Sequence, residues 1–387
     1  MRSDGNALLN SQVRQTWPPA QADVLLRLTS SITGVIVIRG YIGYCDMSIT
    51  RREFGLIAGA TLMACSRANA SQGEASPISI VLAPSNLGMV PTPDGGQSGT
   101  WRGPQGLLEA GLDRALDAAE VVSLERPTYE FGAQAGTRIR NGNTLRASSI
   151  QLSDRVRNIL QRQRFPVVIG GDNSVLLGSL YGLRLAVGRG LVHLGGYTDF
   201  SHPNNYDTMK FLGAAAGMEL ALASGRGEPL LTHWPVVGIP LADDADIIQV
   251  GERGAGSPGF MSSYGDFLRT EITQLTVQCV LADGVEIAAG QVVARLAARG
   301  LDKVWLFVDL DVLDQAVMSA VDTPGSPGFN YDQLSTFVDA LRASGRIAGA
   351  SFSIYDPDRD PGAQQAGRLV RCIADGLRGR GSASSRS

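Results

Sequence analysis

From Pro77 onward the chain alternates short, unbroken apolar runs with stretches of helical period, and few folds accept that pattern. The runs are Ile78–Leu82, Val167–Ile169, Leu191–Leu194, Val236–Ile239, Val304–Val308 and Ile347–Ser353. Strands buried on both faces of a sheet need continuous apolar runs, whereas half-exposed strands alternate. Helix signals lie between them. Leu108, Leu112 and Leu116 recur every fourth residue, and Leu334, Phe337, Val338 and Leu341 share one helix face. Asn330 predicts an N-cap for the second of these helices and Gly345 its stop. The alternation predicts one three-layer α/β/α domain with a mostly parallel sheet over residues 77–378, followed by a disordered Gly/Ser/Arg tail at 379–387.

Ligands of such sheets bind outside the carboxyl ends of the strands. Three polar clusters fall there: Gly170-Gly171-Asp172-Asn173-Ser174, Gly195-Gly196-Tyr197-Thr198-Asp199 and Asp309-Leu310-Asp311-Val312-Leu313-Asp314. In an extended segment Asp309 and Asp311 face the same way, and two adjacent carboxylates repel unless a cation, a proton or an arginine lies between them. A hard cation is one partner for such a pair; a pair of loop-capping aspartates is the other reading. The chain has only three histidines (His193, His202, His233) and four cysteines with no CxxC pair, so zinc ribbons and thioredoxin-type sites are excluded. Cys279 and Cys372 read either as a disulfide or as two buried thiols.

In this order and spacing the clusters resemble the signatures GGDHS, DAHxD (or DGHxD) and DxDxxDP of the ureohydrolase family, which includes arginase, agmatinase and formimidoylglutamase. Further likeness lies in Arg102-Gly103-Pro104 through Ala110-Gly111-Leu112, in Gly217-Met218-Glu219-Leu220, in Ser224-Gly225-Arg226-Gly227 and in Thr323–Gly328, so it covers about residues 77–375. The resemblance implies the arginase-like fold and two manganese ions bridged by a hydroxide that attacks an amidino carbon, the paired metals lowering the pKa of the shared water. Of the six ligand positions it implies, Asp199, Asp309 and Asp311 are retained, whereas Asn173, Gly195 and Tyr197 are substitutions. Ile354 falls where arginase-like members carry a substrate-binding glutamate. Asp172, Ser174, His202 and Asp314 are expected to line the pocket. His193 shares strand parity with Gly195 but lies roughly 6–7 Å deeper, which reads as a core histidine. Asp356, Asp358 and Asp360 read either as further negative charge beside the pocket or as part of a turn built on Asp-Pro dipeptides. The expectation is a degenerate binuclear manganese site without hydrolysis of guanidino or amidino compounds. The alternative is an active hydrolase of linear amidine or amide C–N bonds, with one divalent cation on Asp199, Asp309 and Asp311. A small-molecule ligand and, by resemblance, a homo-oligomer are the expected partners.

The first seventy residues carry a different signal. From Met47 the sequence has Arg51-Arg52, an uncharged stretch from Phe54 to Ala64 and then small residues, which looks like a twin-arginine export signal over 47–70. Leu62-Met63-Ala64-Cys65 resembles a lipoprotein box that would leave a lipid on Cys65; cleavage before Ser71 is the rival. A signal does not function behind 46 further residues, so residues 1–46 are expected to lie outside the native product. The expected location is therefore the periplasm or, lipid-anchored, the cell envelope, with Cys65 the one link to a membrane. Near-balanced charge, 34 basic against 37 acidic residues, argues against a nucleic-acid partner.

Overall fold

Burial on both sides governs how the strands assemble. The computed structural model describes residues 27–30, 36–39, 76–186, 188–255, 257, 259 and 261–379. The chain divides into two units, Met1–Thr50 and Arg51–Ser387. In the first, β1 (Arg27–Ser30) pairs antiparallel with β2 (Ile36–Arg39). Arg51, Arg52 and Cys65 lie outside the described residues, as does the tail beyond Gly379.

Among the described residues the second unit holds eight strands: β3 (Ile78–Ala83), β4 (Glu120–Ser123), β5 (Phe165–Gly170), β6 (Leu191–Leu194), β7 (Ile247–Val250), β8 (Thr273–Leu275), β9 (Val304–Asp309) and β10 (Ile347–Ser353). They form one sheet in the order β4-β3-β5-β10-β9-β6-β7-β8, and every neighbouring pair is parallel. Parallel pairing requires crossovers, and helices supply them. One core joins Val81, Val168, Trp305 and Phe307 of the strands to Leu145, Leu152, Leu176 and Leu180 of helices Gly142–Gln161 and Val175–Ala186. The alternate strand residues Ile80, Val167 and Leu306 point the other way and are buried as fully, so both faces are covered. This is the three-layer α/β/α architecture that the apolar runs predict.

The differences are local. Val236–Ile239 is no strand: it lies in a turn closed by a Trp234–Gly238 bridge, and Val236 is 94% exposed with a left-handed backbone. Pro235 and Pro240 flank that run and deny it ladder donors. Its place in the sheet goes to β7, where Gln249 interrupts the apolar pattern. Leu108, Leu112 and Leu116 belong to two short helices, Gly103–Glu109 and Leu112–Leu116, parted at Gly111 with φ 94°. Helix Tyr331–Ala343 starts at Asn330 as expected, with a reciprocal capping box to Gln333, and Gly345 beyond its end has φ 71°. Cys372 donates its thiol to the Tyr331 carbonyl oxygen at 3.2 Å, so it is not joined to Cys279. Among the described residues no single helix is long and apolar enough to cross a membrane.

Candidate functional site

The carboxyl ends of β5, β6, β9 and β10 meet because these strands lie close together in the middle of the sheet. After β5 the chain turns at Gly171, whose missing side chain lets the Ser85 carbonyl approach; any Cβ there would collide with it. Asp172 fixes the turn. Its Oδ1 accepts the Ser174 N–H at 2.9 Å and its Oδ2 accepts the Ser85 hydroxyl at 2.8 Å. Asn173 then spans two strand tips. Its Oδ1 accepts the Ser353 hydroxyl from β10 at 2.7 Å, and its Nδ2 donates to Asp309 Oδ2 at the end of β9. Next to Ser353, Ile354 is buried with φ 75°, a rare conformation for a β-branched residue, and its N–H donates to the Gly171 carbonyl at 3.1 Å.

Asp309 and Asp311 do meet, though not as neighbours on an extended strand. Asp309 ends β9, and Asp311 lies in the 3-10 turn Leu310–Val312 that Asp309 caps by accepting the Asp311 N–H at 2.8 Å. Both Asp309 oxygens therefore already accept an N–H. Asp311 Oδ1 accepts the Gly196 N–H at 2.8 Å. Arg253, from the loop after β7, donates to the Asp311 carbonyl oxygen and lies 5.2 Å from the Tyr197 ring centroid. Its guanidinium fills the space beside Gly196 and Gly325 that a Cβ at either position would need, and its buried Nε and Nη1 have no hydrogen-bond partner. Arg253 was not legible as a site residue, because its placement depends on β7.

Four carboxylates share one buried region. Desolvation, then the charge of Asp311, holds Asp199 well above the usual carboxylate range. Asp309 is raised by desolvation, then by Asp311 and Asp199. Glu219, the first residue of helix Glu219–Ala223, is raised by desolvation, then by Asp199 and Asp309. Burial also pushes Asp311 up to about 6 against the pull of Arg253, and burial raises the Tyr197 phenol, which stays protonated at neutral pH. His193 corrects the strand arithmetic. It is fully buried and stacked on Phe307, yet its ring reaches along β6 toward Gly195, and its ligand nitrogen lies within 4.8 Å of carboxylate oxygens of both Asp199 and Glu219. Desolvation lowers its pKa to about 3, so the imidazole is neutral. Glu219 was missed, although a lone carboxylate between Met218 and Leu220 in an apolar stretch was a readable signal.

Other expected residues lie elsewhere. His202 pairs with Asp266 at 3.1 Å and sets its ring edge against Phe200. Asp314 accepts the Ala316 N–H and the Ser326 hydroxyl, each at 2.9 Å, and serves the loop after β9. Ser174 opens on a cleft it shares with Ser85 and Leu145. Asp356 caps the turn Pro357–Arg359, and Asp360 accepts the Tyr355 hydroxyl at 2.9 Å together with N–H groups at the start of the last helix.

The three loop clusters thus converge at the strand tips, and the family model for the arginase family matches residues 78–375. The chain belongs to the arginase family. Among curated relatives, the family's arginase from Bacillus caldovelox is 27% identical over 73% of this chain and 92% of its own length. A formimidoylglutamase from Aeromonas salmonicida is 27% identical over 66% of this chain and 76% of its own. Among solved structures, arginase from Bacillus cereus superposes with a TM-score of 0.67 at 23% identity, covering 78% of this chain and 98% of that one. The fold is thus the arginase fold, and manganese is the family's usual metal.

Proposed function

We propose that this arginase-family protein has lost the two-manganese hydrolysis of guanidino and amidino compounds. One observation carries the reading: the Asn173 amide, oriented by Ser353, points an N–H at Asp309 Oδ2, where a metal ligand would present a lone pair. The other aligned positions agree. Gly195 offers no donor, Tyr197 is a neutral phenol, and Asp311 is engaged by the Gly196 N–H beside the fixed charge of Arg253. These residues do not fit a binuclear manganese centre. In this reading the pocket keeps the family's scaffold for a small-molecule ligand.

We also propose that the protein is exported by the twin-arginine signal at Arg51-Arg52 and remains in the periplasm or is held at the envelope by a lipid on Cys65. Assembly into a homo-oligomer belongs to the same proposal.

Elemental analysis after manganese loading, together with assays on arginine, agmatine and formimidoylglutamate, tests the first proposal. No more than one bound ion per chain and no released urea or formamide are expected. Two manganese ions per chain with turnover would overturn it. For export, fractionation of cells carrying Arg51→Lys with Arg52→Lys is expected to show retention of the protein inside the cell.

A further inference from the structure

Beside the position that Gly195 vacates, a second set of potential ligands has assembled. His193, Asp199 and Glu219 come from β6, the loop after it, and the start of a separate helix, and their ligand atoms lie within 4.8 Å of one another. His193 Nε2 is already 3.4 Å from Glu219 Oε1. His193 and Glu219 are both fully buried, and His193 Nδ1, Glu219 Oε2 and Asp199 Oδ2 have no hydrogen-bond partner. Unpartnered carboxylate oxygens in a dry interior are costly, and removing two of them from water is compensated only by a proton or a cation between them. A neutral imidazole beside them carries one N–H and one lone pair, and the tautomer with the lone pair toward the carboxylates supplies a nitrogen ligand. Three protein ligands of one nitrogen and two carboxylates, with a further position left for water, is the donor set of an open mononuclear divalent-metal site. Ligand atoms around such an ion lie about 3.3 Å apart, so small side-chain adjustments would close the set. Asp199 alone of the three is partly exposed.

We propose that His193, Asp199 and Glu219 form a relocated single-ion site for a divalent metal of zinc or manganese type, which keeps Asp199 of the aligned positions and adds His193 and Glu219. The proposal rests on the loss of the two-manganese constellation. His193 occupies space that a side chain at 195 would need: a Cβ there would meet His193 Cε1 at 3.0 Å.

The test is calorimetric titration of the metal-stripped full chain with Zn²⁺ and with Mn²⁺, alongside electron spin echo measurements on the Mn²⁺ form. One ion per chain is expected, with modulation from an imidazole nitrogen. The aligned positions 173, 195, 197, 199, 309 and 311 contain no histidine, so that signal excludes a site built on them alone, and its disappearance in His193→Gln separates His193 from His202 and His233. Binding is expected to weaken at least a hundredfold in Glu219→Gln and in His193→Gln, each checked for native circular dichroism, and by less than threefold in Asp311→Asn. An ion that is lost in Asp311→Asn and shows no nitrogen coupling would overturn the relocated site and leave the preceding reading intact. Two ions per chain would overturn that reading itself. No binding at millimolar metal would overturn the relocated site and assign a shared proton to Asp199 and Glu219.

Discussion

At the scale of single residues, the exchange between positions 193 and 195 is the most informative feature of this chain. With a Cβ at 195 only 3.0 Å from His193 Cε1, Gly195→Asp must displace the ring or distort the strand tip and adds a charge to a buried acidic region. The expected cost is about 1–3 kcal/mol by urea unfolding. In a His193→Ala background it should fall by about 1 kcal/mol; simple additivity would disprove the steric coupling. Restoring a two-manganese centre through Asn173→His, Gly195→Asp and Tyr197→His should therefore also require a change at His193, with bound manganese as the readout. The positions of Asn173, Asp199, Asp309 and Asp311 were legible because each follows an apolar strand in a recognisable motif. The partnership of His193 with Glu219 was not. A two-residue offset along a strand measures backbone distance only, while the imidazole arm and a helix distant in sequence close the gap.

Elements show the same limit from another side. Central strands announce themselves by continuous apolar runs, and β6 and β10 fall where the pattern puts them. Edge strands do not. β4 alternates half-buried and exposed residues, and β8 has three residues with only Leu275 buried, so neither carries the signature of a strand buried on both sides. Helix ends are better encoded, because a cap is a local hydrogen-bond solution that needs no tertiary partner. Asn330 accepts the Gln333 N–H at 2.8 Å while the Gln333 side chain accepts the Asn330 N–H at 2.9 Å. Asn330→Ala should cost about 1 kcal/mol, read as a lowered urea midpoint with unchanged slope. Gly171→Ala should cost several times more, about 3 kcal/mol or above, because the obstacle is the Ser85 backbone rather than a side chain that can swing away. The Ala variant is expected to lose the contact between the loops after β3 and β5, seen as faster amide exchange there.

For the molecule as a whole, the buried acids set how stability depends on pH. Glu252 is 2% exposed, and desolvation raises its pKa to about 7, against an N–H bond from Gly254 that lowers it. A carboxyl whose pKa is higher folded than unfolded stabilises the native state while protonated, and that contribution disappears as pH rises from about 4.5 to about 7. Glu252→Gln lacks this loss, so between pH 4 and pH 8 its stability relative to the parent should improve by about 2–3 kcal/mol. Urea unfolding at both pH values checks the sign; a parent and variant that track each other would refute it. One backbone feature reaches further than its size. Ile354 is held at φ 75° between Ser353, which orients Asn173, and Tyr355, which is tied to Asp360. A β-branched residue resists that conformation by about 1–3 kcal/mol. The residue just past β10 is therefore a loaded latch, and a change that lets residue 354 relax will be felt first at Asn173, on the neighbouring strand tip, before it is felt in the core.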